Sequence, residues 1–322
     1  MNRFAVQARS TVARLAGPKG RDLYRRVRSN PAAPPQVIYV NRPTADKPRV
    51  LWPQFPPLNY LGQLSEQFQE QMARERDYLE LDDCSFYHAS TLRDGSFISG
   101  PWDLRGHEAE YLGNISLRGM RVLELGPATG HLSYYMETEG ASVVCFDAGF
   151  DVSIDLLPYE CHDLMGPRME QLSVSVGAVQ NSWWYLHRDY QSKVKMLYGN
   201  IYNLPGDIGQ FDVATFQAIL LHLRDPFTAL EQAARRTSRA IVVTEPVDPA
   251  IQDSDSMRFH PTRQKGVTTS WWSFSPAAVA VMLDDLGFHK IRTTTHSQLH
   301  HLDHDMERPP VPLQMFTVVG EK

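Results

Sequence analysis

Glu124, Gly126, Ala128, Gly130 and Asp147 are the residues whose types and spacing best suit a chemical task. The first four lie in Arg121-Val122-Leu123-Glu124-Leu125-Gly126-Pro127-Ala128-Thr129-Gly130, an apolar run that enters a turn of small residues. Asp147 closes a second apolar run, Ser142-Val143-Val144-Cys145-Phe146-Asp147. Glycine frees the backbone of such a turn, and alanine is small enough for a ligand to approach closely. In an open parallel sheet the turn falls at the carboxyl end of a strand, where nucleoside cofactors bind. The spacing is G-x-A-x-G, not the G-x-G-x-x-G that shapes a helix N-terminus for a pyrophosphate. Glu124, an acid on the strand itself, suits a ligand with a cationic tail. Asp147 is placed to accept hydrogen bonds from both hydroxyls of a ribose.

A nucleoside with a cationic amino group and no phosphate describes S-adenosylmethionine (SAM), which is the cofactor expected. The elements needed to hold it follow along the chain. Val194–Tyr198, Phe211–Gln217 and Ala240–Glu245 read as third, fourth and fifth strands, and Lys290–Thr295 and Leu313–Val319 as two more. Between them, Pro226 to Thr237 carries apolar residues at helical spacing. Ser275 to Leu286 starts on an N-cap serine with Pro276 behind it and stops at Gly287. Strands alternating with helices of this length predict an α/β fold: a Rossmann-like, seven-stranded, mostly parallel sheet with helices on both faces.

With those runs in place, the chain from about Trp102 to its end resembles the class I SAM-dependent methyltransferases. The resemblance rests on Val122–Gly130, Asp147, Gly199-Asn200-Ile201-Tyr202-Asn203-Leu204-Pro205, and Phe211-Asp212-Val213 through Ile219-Leu220-Leu221-His222-Leu223-Arg224-Asp225-Pro226. The last run and Trp102-Asp103-Leu104-Arg105 resemble the branch that holds the wobble-uridine tRNA carboxymethyltransferase and relatives of unassigned substrate. Two positions depart from the usual pattern: Ala128 stands for the middle glycine, and Asn200 for the acid after the third strand. The resemblance implies that Glu124, Gly126 and Gly130 line the methionine moiety, with Ala128 of the same loop also at the cofactor, and that Asp147 holds the ribose. It further places Asn200 and Ile201 at the adenine and Gln217 under the methionine end.

For the acceptor half of the reaction the sequence offers candidates. Methyl transfer is an in-line displacement from a good leaving group, so the protein must align the nucleophile and exclude water. A hydroxyl acceptor also needs a base, and His222, just past the fourth strand, suits that role. The alternative is that it fixes the start of the next helix. Glu245, at the end of strand five, is either a base or substrate contact or a partner for backbone groups. The aromatic pairs Trp183-Trp184 and Trp271-Trp272 read either as substrate walls or as core. Trp102 and Arg105 either help close the site or anchor a helix by packing and an ion pair. His300 is a candidate substrate contact among His296, His301, His304, Asp303 and Asp305, whose spacing matches no closed zinc pattern, and no metal is assigned.

Composition frames these readings. At 322 residues, 42% hydrophobic and 21% charged, the chain has material for an ordinary globular core. No apolar run reaches the length of a membrane span. Cys84, Cys145 and Cys161 show neither pairing nor metal-ligand spacing, which fits a cytoplasmic protein. Residues 1–29 form a basic segment: Met1–Arg28 holds a formal +7, leaving the remainder at −12 within a net −5. It reads as a transit peptide, an arm for nucleic acid or lipid, or a solvated amphipathic helix. Residues 30–100 form a proline-rich linker followed by a helix from Ser65 to about Leu79. The methyltransferase domain spans 101–322, with a long insertion or lid at 148–192. The acidic body disfavours an extended nucleic-acid surface, because phosphate contacts need many cations. Transfer to an O or N atom of a small molecule, glycan or natural-product intermediate is therefore the leading expectation. A tRNA-modifying methyl- or carboxymethyltransferase and a non-catalytic SAM-fold binding protein are the alternatives.

Overall fold

A computed structural model describes residues 37–38, 60–61, 64–149, 155, 162–260, 270–302 and 305–322, with the backbone alone for 37–38, 60–61 and 162–173. The basic segment, Cys161, Asp303, His304 and most of the proline-rich stretch lie outside them. The strands are β1 (Val37–Ile38), β2 (Tyr60–Leu61), β3 (Ser90–Thr91), β4 (Phe97–Ile98), β5 (Trp102–Asp103), β6 (Arg121–Leu125) and β7 (Ser142–Ala148). They continue with β8 (Lys195–Gly199), β9 (Phe211–Gln217), β10 (Thr237–Pro246), β11 (Met257–Phe259), β12 (Trp272–Phe274), β13 (Lys290–His300) and β14 (Val311–Glu321). The helices are α1 (Glu66–Arg74), α2 (Glu108–Tyr111), α3 (His131–Thr138), α4 (His162–Tyr190), α5 (Pro226–Ala234) and α6 (Pro276–Asp285).

The central sheet runs β2-β8-β7-β6-β9-β10-β14-β13-β5. Strands β8, β7, β6, β9 and β10 are mutually parallel. β14 lies antiparallel to β10 and β13 antiparallel to β14, so β13 points the same way as the first five. The expected seven strands are thus the inner seven. Two short strands, β2 from the N-terminal extension and β5 just after it, lengthen the sheet at its two edges, which the sequence did not announce. Gln69 on α1 completes the β8 edge: its amide donates to the Met196 carbonyl at 2.9 Å and accepts the Met196 N–H at 2.9 Å. An otherwise open strand edge is thereby satisfied.

Alternation along each strand sends side chains to two separate cores. Val122, Val143, Cys145, Met196, Val213 and Val242 pack on one face with Trp183, Trp184 and Leu186 of α4. Leu123, Leu125, Phe146, Phe216, Ile241 and Val243 pack on the other with Leu230 of α5 and Val279 and Leu283 of α6. Burial on both faces is what makes the strands read as near-continuous apolar runs. Leu79, Cys84, Phe86, Ile98 and Leu104 join the first core, so packing does not break at the boundary expected near Gly100. The 148–192 segment, where described, is the crossover helix α4, whose C-terminal half is buried against the sheet.

The helix signals act as expected. Asp225 accepts the Thr228 N–H at 3.0 Å with Pro226 behind it. Ser275 accepts the Ala278 N–H at 3.0 Å, and its side chain is buried. Removing the second cap by Ser275→Ala should lower stability by about 1 kcal/mol, read as a lower urea midpoint at unchanged m-value. An unchanged midpoint would contradict that role for Ser275.

Candidate active site

The turn after β6 is held tightly. The Gly126 N–H donates to the Phe146 carbonyl at 3.0 Å and the Gly130 N–H to the Pro127 carbonyl at 2.8 Å. Gly126 and Gly130 have φ of +71° and +84°, and a Cβ on Gly130 would fall 2.6 Å from Trp183 Cδ1. Ala128 adopts φ +50°, the left-handed region usually left to glycine, at a cost on the order of 1 kcal/mol. Thr129 in the same turn is buried, and its hydroxyl meets Nδ1 of His88 at 3.1 Å. Burial lowers the His88 imidazole to about 3, so it is neutral there. His88 arrives from the N-terminal extension and gave no signal in the sequence, because 41 residues separate it from its partner.

Glu124 is fully buried beneath this turn. Its Oε2 accepts from the Ser133 hydroxyl and from Cys145 Sγ at 3.3 Å, which ties β6 to α3 and β7. Burial raises its carboxyl to about 7. Asp147, at the end of β7, accepts from the Ala148 N–H at 2.9 Å and from Gln180 Nε2 at 3.2 Å, and burial raises it as well. Asn200 and Ile201 follow β8, where Asn200 Oδ1 accepts the Tyr202 N–H at 2.9 Å and fixes the turn. Gln217 ends β9, and both atoms of its buried amide lack a hydrogen-bond partner among the described residues. An amide with a donor and an acceptor both unmet is costly unless a ligand meets them. It matches the ammonium and carboxylate of a methionine tail, and Asp147 offers oxygens to a ribose. The donor set fits SAM.

A family model for a methyltransferase domain matches residues 104–293, more than half of the chain. The chain belongs to that family. It is a SAM-dependent methyltransferase, with SAM as its cofactor. A search of curated proteins finds no match. Among solved structures it is similar to the N-terminal domain of EvdMO1, solved with S-adenosylhomocysteine (SAH) and D-fucose. That likeness has 16% identity and a TM-score of 0.42 over 78% of this chain and 94% of that one. It is also similar to the 1,6-didemethyltoxoflavin N1-methyltransferase of Burkholderia thailandensis, at 15% identity and TM-score 0.41 over 68% and 77% of the two chains. A third is the magnesium protoporphyrin IX methyltransferase of Synechocystis PCC 6803, at 14% identity and TM-score 0.39 over 66% and 80%.

Among the residues expected on the acceptor side, Glu245 is a buried acid beside a cavity. It is 1% exposed at the end of β10, and its Oε1 accepts the N–H groups of Leu220 at 2.9 Å and Leu221 at 3.3 Å. Oε2 is buried without a hydrogen-bond partner among the described residues. Burial raises the carboxyl to about 8 against the two backbone donors, which lower it. A cavity of about 310 Å³ opens beside it, lined by Leu221, Glu245, Pro246, His260, Ser270, Trp272, Ser273 and Phe274. His260 meets the Ser273 hydroxyl at 2.5 Å. His260, Ser270 and Ser273 carried no signal in the sequence, because only the fold brings them into one lining with Glu245.

The other candidates are distributed differently. His222 closes the short turn Leu220–His222 whose amides Glu245 holds, and it is not among the described residues lining the cavity. Trp272 lines the cavity, whereas Trp271 is buried, with Nε1 donating to the Asp155 carbonyl at 2.8 Å. Trp183 and Trp184 are 0% and 4% exposed. They form core rather than a cleft wall, because α4 turns that side onto the sheet; Trp184 Nε1 donates to the Tyr198 hydroxyl at 2.8 Å. Trp102 is buried with its ring centroid 4.3 Å from that of His300, at the β5–β13 edge. Arg105 is an exposed anchor, pairing Asp103 at 2.8 Å and covering the Phe97 ring. His296 meets the Thr317 hydroxyl at 2.9 Å, and His301 the Arg308 carbonyl at 2.8 Å. Among the described residues no three histidines, cysteines or acids gather as a metal site, and no helix is long and apolar enough to cross a membrane.

Replacing Asp147 by alanine should weaken SAH binding at least tenfold in calorimetry, since a hydrogen bond to a charged group contributes about 1.5–3 kcal/mol. Unchanged affinity would remove Asp147 from the ribose site.

Proposed function

We propose that the protein transfers methyl to an oxygen or nitrogen nucleophile on a small molecule, glycan or natural-product intermediate. The observation that carries this reading is the cavity at the end of β10. Its volume of about 310 Å³ lies at the small end of ligand pockets, and its described lining contains no lysine or arginine. A nucleic-acid backbone would find no lysine or arginine there to pair its phosphates.

SAM supplies an electrophilic methyl group on a sulfonium leaving group. Gly126, Ala128 and Gly130 let the backbone approach it. Asp147, Asn200, Ile201 and Gln217 would hold its ribose, adenine and methionine ends. What remains for this chain is to align the acceptor, exclude water and receive a proton. Glu245 Oε1 is occupied by two backbone N–H groups, which leaves Oε2 for the acceptor. A carboxyl raised to about 8 is a far stronger base than an ordinary glutamate near 4.5. His222, on the turn that Glu245 anchors, is the second candidate base.

Labelled SAM incubated with the enzyme and a fractionated cell extract should place label in the small-molecule or glycan fraction. Label in bulk tRNA would replace this reading with the wobble-uridine type, and SAH binding with no label in any fraction would favour a non-catalytic protein. On the identified acceptor, Glu245→Gln should lower kcat by about 10²-fold or more while SAH affinity is kept. The wild-type rate should rise with pH to a plateau above about 8, the value of the Glu245 carboxyl. A limb near the ordinary histidine value of about 6.5 would assign the base to a histidine instead.

A further inference from the structure

The walls of the cavity beside Glu245 divide sharply in character. Leu221, Pro246, Trp272 and Phe274 supply apolar and aromatic surface. Trp272 is held in place from outside: its Nε1 donates to the Arg224 carbonyl at 3.3 Å, and the Phe259 ring lies 5.1 Å away. The polar groups are Glu245, His260, Ser270 and Ser273. The only one of them shown both buried and with an unmet oxygen is Glu245, through Oε2. That oxygen belongs to a carboxyl whose other oxygen already takes two backbone donors, so the arrangement calls for a further donor from a ligand. The Arg258 guanidinium pairs with Asp248 at 2.7 Å instead of facing the cavity.

We propose that this cavity is the seat of the methyl acceptor and that it selects an uncharged ring bearing a hydroxyl or amine. The ring lies against Trp272, and the O–H or N–H donates to Glu245 Oε2. Acceptors whose bound end carries a carboxylate or phosphate are disfavoured, because the described lining offers them no lysine or arginine and presents a carboxyl group. The proposal deepens the methyltransferase reading and rests on it for the identity of the molecule as acceptor. Selection by the cavity itself can be read without turnover.

Phenol and benzoate serve as paired probes, one a neutral ring hydroxyl and the other an anion of the same ring. Their binding is titrated by ligand-observed NMR at about pH 9, where phenol, with a value near 10, is still neutral, with and without SAH. Phenol should bind at least tenfold more tightly than benzoate. Trp272→Ala should weaken phenol at least fivefold. Glu245→Gln keeps the shape and a carbonyl for the backbone donors but turns an amide N–H toward the cavity. The preference for phenol should then shrink to threefold or less, with benzoate gaining affinity. Equal binding of the two probes to the wild type, or a preference unmoved by Glu245→Gln in a protein that still binds SAH, overturns the seat. Failure to bind SAH with the phenol preference intact overturns the cofactor reading and leaves only the cavity's selection of a neutral ring supported.

Discussion

The site depends on one buried carboxyl group with unlike oxygens. Glu245 sits at the end of β10, where the sheet core gives way to the cleft. Its Oε1 gathers the amides of Leu220 and Leu221, which would otherwise be unpaired donors at the start of a tight turn. That contact fixes the loop after β9 against the end of β10, and the loop carries Ala218, Ile219 and His222 beside Gln217. Ile219 in turn packs 2.9 Å from where a Cβ on Gly126 would stand. The cofactor turn and the cavity proposed for the acceptor are thus joined through Glu245, the Leu220–Leu221 backbone and Ile219. Burial leaves the Glu245 side chain with a raised carboxyl and one oxygen unmet among the described residues, the two features on which its proposed role as base rests.

Strand alternation decides which groups reach which side of the cleft. Glu124 registers with Cys145 and Thr215 on the face covered by α4. It therefore points into a core lined by Trp183 and Tyr134, and it holds the turn from beneath. Glu245 lies on the opposite face, among residues packed by α5 and α6, and emerges where Trp272 and Phe274 of β12 close over the edge. The two buried acids share a sheet and a residue type. Their tasks differ because one is enclosed by α3 and the other abuts a cavity.

The fold was legible because its signals are local. The apolar runs of β6, β7 and β9 bound themselves, and Ser275, Pro276 and Gly287 punctuate α6. The turn from Gly126 to Gly130 after β6 and the run that ends near Asp147 in β7 were legible for the same reason, since each is a contiguous stretch of chain. The cavity beside Glu245 was legible only in part: Glu245 and Trp272 stood out in the sequence, whereas His260 and Ser273 join the same lining from separate segments, and His88 reaches Thr129 from a distant one. No periodicity marks such encounters. Trp183 and Trp184 show the converse: aromatic density left a cleft wall and core both open, and 29 residues of continuous helix turn both rings onto the sheet as core. The paired serine, cysteine and histidine partners around Glu124 and Thr129 likewise depend on which face each strand presents, a property of register rather than of composition.

The most direct test of this account is the titration of the Glu245 carboxyl itself. With carboxyl-¹³C-labelled glutamate and the Glu245→Gln protein to assign the resonance, the wild-type signal should titrate near 8. Adding phenol should perturb that resonance, because Oε2 is the oxygen the ligand meets. A midpoint near 4.5, the ordinary glutamate value, or a resonance indifferent to phenol would contradict the account. It would mean that the carboxyl is solvated or fully engaged by backbone, with no oxygen reserved for an acceptor.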